Sequence, residues 1–118
     1  MREFDEFVKQ VGKSARLDPW VRERGFAGYV QELKKEADEV IEAIGNNDRE
    51  NIREELGDVL YDWLHACALA GIPLRDIIAS AAEKLQRRKP YLRENRSVSS
   101  EEAVAIWKRV KEEEHARR

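Results

Sequence analysis

Apolar side chains recur at intervals of three and four residues along most of the chain, which is the spacing of one face of an α-helix. Four such stretches predict helices over about residues 3–16, 27–44, 48–70 and 73–89, and a fifth predicts a C-terminal helix over about 99–116. No segment shows the strict alternation of apolar and polar residues that a half-buried strand requires. The pattern therefore predicts an all-α fold.

Turn and capping residues separate these stretches. Pro19 disfavours helix at the residue before it and breaks the chain after the first helix. Gly45 and two asparagines end the second helix, and Asp48 is placed to cap the third. The segment 71–73 (GIP) makes the next turn. Ser99 has a glutamate three residues later, which is the capping-box spacing, and predicts the start of the last helix.

The same periodicity predicts which faces are buried. In the second helix the predicted buried face comprises Val30, Leu33, Ala37, Val40, Ile41 and Ile44, and in the third it is centred on Leu56. Trp63 and Trp107 fit core or interface positions. His65 falls on the polar side of its helix and has no metal-ligand companion, so we assign it no role.

Composition limits the class of protein. The 118 residues suffice for one domain, here residues 1–118, and 39% of them are charged. A net charge of −2 provides no large basic field for a nucleic-acid duplex. The single Cys67 indicates a reducing, cytoplasmic compartment. Because no apolar run has the length of a signal peptide or a membrane span, we expect a soluble protein without a membrane partner.

Two pairs of carboxylates carry the candidate chemistry. Glu36 with Glu39, and Glu55 with Asp58, are each spaced three apart at the border of an apolar helix face. When the two faces pack, the acids approach each other, and like charges in a partly dry seam need a counter-ion. Oxygen ligands suit Mg²⁺, with Mn²⁺ as a substitute, and predict a Mg²⁺-dependent enzyme acting on a phosphorylated substrate. The alternative is that they are ordinary surface acids, neutralised by neighbouring lysines and arginines.

Three segments together resemble the MazG family of all-α nucleoside triphosphate pyrophosphohydrolases. They are residues 35–44 (KEADEVIEAI), 55–60 (ELGDVL) and 84–90 (KLQRRKP), and the resemblance covers about residues 18–92, including the DPW of 18–20. It implies a four-helix core with an additional C-terminal helix, which oligomerises through helix packing as a homodimer or a larger assembly.

The resemblance also implies an activity and its residues. The reaction is hydrolysis of a nucleoside triphosphate, possibly deoxy or non-standard, to monophosphate and pyrophosphate. The implied Mg²⁺ ligands are Glu36, Glu39, Glu55 and Asp58. The triphosphate would meet Lys84, Arg87 and Arg88, which otherwise simply complement the dipole at a helix C-terminus. Trp20 would stack on the base or else lie buried in a loop corner.

Three positions depart from the family pattern. Lys35 replaces the first glutamate of Glu-Glu-x-x-Glu, so another acid must orient the attacking water, and Glu32 and Asp62 are the candidates. Val21 replaces an acid, and Tyr91 replaces the histidine of Arg-Arg-x-Pro-His. The last two changes leave the preferred base and sugar open.

Two rival interpretations remain. Phosphoribosyl-ATP pyrophosphohydrolases resemble the same scaffold, and the Arg-Arg-Lys-Pro segment at 87–90 is what favours the MazG interpretation. A non-catalytic helical interaction module is the second rival, with Lys35 as the sign of a decayed site.

Overall fold

A computed structural model describes residues 1–117 as a succession of helices. They are α1 Arg2–Leu17, α2 Pro19–Gly45, α3 Arg49–Ala70, α4 Leu74–Arg88 and α5 Ser100–Ala116, with a single 3-10 turn at Pro90–Leu92 before α5. No strand occurs in residues 1–117. The predicted all-α class is therefore confirmed.

Side-chain caps begin three of the helices. The Asp18 carboxylate accepts a hydrogen bond from the Trp20 backbone N–H at 2.9 Å, and Asp48 accepts one from the N–H of Asn51 at 3.3 Å. The Ser99 hydroxyl oxygen accepts a bond from the N–H of Glu102 at 3.1 Å. Each bond satisfies a donor that the first helical turn leaves without a partner. The caps predicted at Asp48 and Ser99 lie where the sequence placed them.

Helix α2 begins earlier than the sequence predicted. It starts at Pro19 rather than near Ala27, because Asp18 caps it and proline is favourable in a first helical turn. Gly25 interrupts it with φ 74° and ψ 178°, angles that only glycine adopts readily. The segment that carries Trp20 is therefore a short helix of its own, bent away from the long acidic part of α2.

The chain divides into two compact units, Met1–Leu74 and Arg75–Arg118. In the first unit, α2 and α3 pack against each other and α1 packs on both. Its core joins Val21, Tyr29 and Ala66, with Ala15 and Leu69 packed against them. In the second unit Val110 of α5 is buried. A single domain over 1–118 stays a prediction.

His65 lies in the core of the first unit, and its prediction as a residue on the polar side of the helix was wrong. The ring is 1% exposed and stacks on Tyr29 at 5.0 Å between centroids. Nδ1 lies 2.8 Å from the Tyr61 carbonyl oxygen, so this nitrogen is the donor. Nε2 then accepts from the Ser14 hydroxyl at 2.9 Å. The histidine thus connects α1, α2 and α3.

The predicted buried faces of α2 and α3 were also wrong in part. Leu33 and Val40 are half-buried, but Val30, Ala37, Ile41 and Ile44 are exposed, as is Leu56 at the predicted centre of α3. The buried positions of α2 are instead Val21, Tyr29 and Ala43. Periodicity detected an apolar stripe correctly, but it could not show that a different side of the helix meets α3.

No single helix in residues 1–117 is both long and apolar enough to cross a membrane, although α3 and α4 taken together have the required length and composition.

Candidate metal and nucleotide site

Helices α2 and α3 bring acids of both predicted pairs together. Glu36, Glu39 and Glu55 each offer a carboxylate oxygen, and these oxygens lie within 4.8 Å of one another. Two of them belong to one turn of α2, and the third reaches across from α3. Three carboxylates at this separation are an oxygen-ligand set suited to a hard divalent cation.

Two oxygen atoms of this group are buried without a partner. Glu36 Oε2 and Glu55 Oε2 are inaccessible to solvent and accept no hydrogen bond from residues 1–117. A buried carboxylate oxygen with no donor is costly, because it has lost its water and gained nothing in exchange. A cation coordinated by these oxygens would remove that cost, so the residues present fit a divalent metal ion.

The electrostatics of the group lead to the same conclusion. Burial raises the pKa of Glu36 from 4.5 to about 7, and the adjacent Glu39, Asp58 and Asp62 contribute to the increase. Burial is also the main cause that raises the pKa of Glu55, followed by Glu39 and Asp58. Negative charge is concentrated here beyond what the neighbouring cations offset.

Asp58 lies at the edge of the site. Its side chain is exposed and does not belong to the group of oxygens within 4.8 Å, yet its charge contributes to the raised pKa values of Glu36 and Glu55. The structure thus brings three of the four sequence-predicted ligands into one group, with the fourth near enough to act on them electrostatically.

Glu32 and Asp62, named from sequence as candidates to orient water, lie at the other end of the acids. Each has an oxygen within 4.8 Å of the other and of Glu36. Asp62 is only 6% exposed, and burial together with Glu32 raises its pKa. Glu36 therefore belongs to two groups of carboxylates.

Arg24 is a site residue that the sequence did not reveal. Its guanidinium pairs with Glu32 at 3.1 Å and lies over the ring of Trp20, 4.5 Å from the centroid. Trp20 itself is 55% exposed, which excludes the alternative that it is buried in a corner. A regular helix would separate residues 24 and 32 by about 12 Å along its axis. The break at Gly25 lies between them, and no periodicity in the sequence indicates such a contact.

The basic residues singled out from sequence lie in α4, within the second unit. Lys84 is exposed, whereas Arg87 and Arg88 are half-buried and share one carboxylate of α5. Arg87 Nε is 2.8 Å from Glu114 Oε2, and Arg88 Nη2 is 3.1 Å from Glu114 Oε1. The two arginines therefore do more than complement a helix dipole, since they bind the last helix of the chain.

The sequence model described as the MazG nucleotide pyrophosphohydrolase domain matches residues 24–93, more than half of the chain and the whole acidic region. The chain belongs to the MazG family. The structure agrees, because a mazG-related protein from Thermotoga maritima, known from a crystal structure, superimposes with a TM-score of 0.82. The two are 35% identical, and the match covers 95% of this chain and 99% of that one.

Two of the curated relatives that this chain resembles carry different names. A nucleoside triphosphate pyrophosphohydrolase of Escherichia coli (strain K12) is 33% identical over 105 residues, covering 85% of this chain and 40% of that protein. A phosphoribosyl-ATP pyrophosphatase of Rhizobium rhizogenes is 29% identical over 91 residues, covering 75% of this chain and 84% of that protein. The chain thus spans about two fifths of the first relative's length.

The three departures from the MazG pattern occupy different environments. Lys35 is exposed on α2, and Val21 is buried in the core of the first unit with 2% exposure. Tyr91 is half-buried in the second unit. Val21 therefore has a packing role that an acid at this position would not fill without a partner.

Proposed function

We propose that this MazG-family chain hydrolyses nucleoside triphosphates to nucleoside monophosphate and pyrophosphate, with Mg²⁺ held by Glu36, Glu39, Glu55 and Asp58. The observation that supports it most is the convergence of three carboxylates, two of which, Glu36 and Glu55, each have a buried oxygen without a hydrogen-bond partner. Mg²⁺ bound there would offset phosphate charge and lower the pKa of water.

Particular residues of this chain would carry out the other parts of the reaction. Water attacks the α-phosphorus, a new P–O bond forms, and the oxygen that bridges the α- and β-phosphorus atoms leaves with pyrophosphate. Glu36 and Glu39 would hold the Mg²⁺ ion, and the ion would supply the positive charge that keeps the reacting phosphate in place. Orientation of the water falls to the end of the site that contains Glu32 and Asp62. Trp20 supplies an exposed aromatic face for the base.

Lys84, Arg87 and Arg88 are proposed to contact the triphosphate. Guanidinium groups suit phosphate oxygens because they donate two parallel hydrogen bonds. Glu114 accepts some of the hydrogen bonds that Arg87 and Arg88 can donate. Each arginine has further N–H groups beyond those that Glu114 accepts, and these remain to bind phosphate.

We also propose that the chain assembles as a homodimer or a larger homo-oligomer. Among residues 1–117, eight apolar residues are buried while fifteen large apolar side chains are exposed. Ile41 and Ile44 of α2 are 67% and 60% exposed, and Leu56 of α3 is 54% exposed. Two further apolar residues, Val30 and Ala37, extend the same stripe along α2. An apolar stripe of this kind on a water-soluble helix is typical of a helix-packing interface.

The deciding experiment is a substrate panel with identified products. Ordinary and deoxynucleoside triphosphates are incubated with Mg²⁺, and we expect monophosphate and pyrophosphate from at least one of them. Glu36→Gln should lower the rate by about 100-fold or more, because it removes a metal ligand. Asp38→Asn, an exposed acid of the same helix, is the matched control and should leave the rate unchanged.

Phosphoribosyl-ATP belongs in the same panel. The relative from Rhizobium rhizogenes that this chain covers to 84% carries the phosphoribosyl-ATP pyrophosphatase name. Faster hydrolysis of phosphoribosyl-ATP than of any nucleoside triphosphate would favour that second function. Orthophosphate as the product would contradict the bond assigned here. The absence of any product from every nucleotide would favour a non-catalytic interaction module.

A cytoplasmic location, inferred from Cys67, stays a prediction.

A further inference from the structure

A succession of planar side chains leads from the core of the first unit to the surface of α2. The His65 ring stacks on the Tyr29 ring with 5.0 Å between centroids, and both residues are 1% exposed. The Arg24 guanidinium carbon lies over Tyr29 at 5.3 Å from its ring centroid and over Trp20 at 4.5 Å. Trp20 is 55% exposed. Arg24 therefore connects an exposed indole to rings that the core holds in place.

Arg24 also makes contacts across the bend at Gly25. Arg24 and Trp20 precede the bend, whereas Tyr29 and Glu32 follow it on the long part of α2. The Arg24 guanidinium pairs with Glu32 at 3.1 Å, and the side chains of this pair are 29% and 28% exposed. Because partly buried ion pairs are screened by salt less than exposed ones, this contact helps to hold the guanidinium in place. One side chain thus links the segment that carries Trp20 to the helix that carries the acids.

Gly28 leaves room for this placement of Arg24. A Cβ atom built at Gly28 would lie 2.7 Å from Arg24 Cγ. Non-bonded carbon atoms pack at about 3.5–4.0 Å, so the Arg24 stem occupies the space that a side chain at position 28 would need. Any larger residue there would push the stem aside, and the guanidinium with it.

The contact with Arg24 restricts the orientation of the Trp20 indole. A cation over an aromatic face is attracted to the ring, and the attraction is stronger where water is partly excluded. An exposed side chain that is free to change rotamer must lose this freedom when a ligand binds, which lowers the affinity. Arg24 therefore orders the indole before a nucleotide arrives, and the surface of Trp20 that it does not cover remains for a base.

We propose that Arg24 is a positioning residue for nucleobase recognition, which acts by holding Trp20 in the orientation that receives the base. Arg24 contacts neither the phosphates nor the reacting atoms in this role. A ligand without a base should therefore bind equally well with or without the Arg24 side chain. The inference rests on the proposed function, since it takes a nucleoside triphosphate as the ligand.

Calorimetric binding of two kinds of ligand in Mg²⁺ tests the proposal. The α,β-methylene analogues of the adenine, guanine, cytosine and uracil nucleoside triphosphates cannot be cleaved between the α- and β-phosphorus atoms, and tripolyphosphate has no base. Arg24→Gln should weaken binding of the analogue that the wild type prefers by about fivefold or more, while binding of tripolyphosphate stays unchanged. Arg22→Gln, which removes an exposed arginine of the same segment, is the matched control and should change neither affinity.

Two further variants keep a positive charge near Glu32. Arg24→Lys retains a cation but has no planar group to lie on the indole. Gly28→Ala retains the whole arginine but displaces its stem. Both should weaken binding of the analogue as Arg24→Gln does, and they test the proposal if Arg24→Gln does not keep its helical circular dichroism spectrum. Gly12→Ala controls for replacing a helical glycine, because a Cβ at Gly12 would meet no atom within 4 Å.

A double-mutant cycle separates positioning from direct contact with the nucleotide. Trp20→Ala should weaken binding of the analogue by about tenfold, because it removes the stacking surface. If Arg24 acts through Trp20, adding Arg24→Gln to Trp20→Ala should weaken binding no further. Losses that add in the double variant would show that Arg24 contacts the nucleotide itself, and would overturn the positioning role.

The remaining outcomes distinguish this inference from the proposed function. Unchanged binding of every analogue by Arg24→Gln, or an equal loss of tripolyphosphate binding, would overturn the inference. A wild type that binds the analogues no more tightly than tripolyphosphate would overturn it as well. Pyrophosphate release from nucleoside triphosphates in any of these cases would leave the proposed function standing. The expected affinities in a chain that cleaves no triphosphate would instead support the role of Arg24 and contradict the function.

Discussion

At the scale of single residues, Glu36 is an acid whose charged form is unfavourable in the folded chain. Its inner oxygen is inaccessible and without a donor, and it belongs to both acidic groups. This oxygen is therefore positioned by the packing of α2 on α3 and not by a hydrogen bond. Its ionisation therefore opposes folding unless a cation is present.

The unfavourable ionisation of Glu36 makes the stability of the fold depend on pH. The folded pKa of Glu36 is about 7, above its ordinary 4.5, so the native chain binds more protons than the unfolded one between these values. In a chelator, the free energy of unfolding should fall as the pH rises from about 4.5 to 7, and Mg²⁺ should reduce the fall. Urea denaturation at a series of pH values measures it.

Glu36→Gln is the control for this dependence. Glutamine cannot ionise, so the variant should lose less stability than the wild type over the same pH range, with Glu55 and Asp62 supplying what dependence remains. Parallel curves for the two proteins would show that Glu36 titrates as an ordinary exposed acid.

The sequence identified acids that could come together, but it did not show which of their oxygen atoms are buried. The i, i+3 spacing of Glu36 with Glu39 and of Glu55 with Asp58 is visible in the sequence. Which oxygens lose their water depends on the rotation of α2 about its axis against α3. For the same reason Asp62 and His65 could not be recognised as buried, since the buried face of α3 was predicted to centre on Leu56 and both residues lie on other sides of the helix.

At the scale of secondary-structure elements, a side-chain hydrogen bond joins α1 to α3 beside the aromatic contact of Phe7 with Tyr61. Ser14 of α1 donates to His65 Nε2 in a ring environment that is otherwise apolar and aromatic. Ser14→Ala removes the donor and leaves a buried acceptor unsatisfied, which should lower the free energy of unfolding by about 1–2 kcal/mol.

Ser80→Ala is the matched control for this substitution. Ser80 is exposed on α4, so its replacement by alanine changes helix propensity alone and should be neutral or slightly stabilising. Chemical denaturation of both variants separates the two effects. Equal stability of Ser14→Ala and the wild type would mean that the bond contributes nothing to the packing of α1.

The ion pairs that join α4 to α5 lead to a second prediction at the scale of helices. Hydrogen bonds from Arg88 and Arg87 lower the pKa of Glu114 from 4.5 to about 2. A depressed folded pKa stabilises the fold above the unfolded value, and the benefit is lost as the pH falls through 4.5 toward 2. Glu114→Gln should therefore lower the melting temperature at pH 7, and the difference from wild type should vanish near pH 2.

Glu113→Gln, at the exposed neighbouring position, controls for the loss of a charge on α5. It should leave the melting temperature nearly unchanged at both pH values, because exposed helix acids contribute little. A pH-independent effect of Glu114→Gln would instead indicate that the side chain acts through packing and not through its ion pairs.

Helix boundaries were largely predictable, because local residues determine them. Asp48, Gly71 and Ser99 form their caps or turns regardless of what the helices pack against. The early start of α2 was missed because the residues after Pro19 show too short a periodic stretch before Gly25. Detecting that break required the backbone angle itself, since glycine also occurs within regular helices, as Gly12 does.

At the scale of the whole molecule, the exposed stripe on α2 makes self-association testable. Ile41→Glu places a charge in the centre of the stripe and should convert the proposed homo-oligomer into monomers, because a buried unpaired charge opposes association. Light scattering coupled to size-exclusion chromatography measures the mass. Leu17→Glu, at a position 68% exposed and off the stripe, should keep the oligomer.

A wild-type chain that stays monomeric at micromolar concentrations would contradict the assembly. Sequence periodicity alone could not separate a core face from an interface face, since both are apolar at the same spacing. In α2 the predicted core residues Ile41 and Ile44 proved to be the exposed ones. To assign an exposed apolar position to an interface, the structure of the partner subunit is most often required.

The bend at Gly25 separates the segment that carries Trp20 from the long acidic part of α2. It is fixed by a backbone torsion, and a side chain built at this position would meet no atom within 4 Å. The direction of the segment that carries Trp20 is thus set at the glycine and not by the tryptophan side chain. A substitution at Trp20 would therefore change the aromatic surface proposed for the base while the carboxylates beyond the bend keep their places on α2.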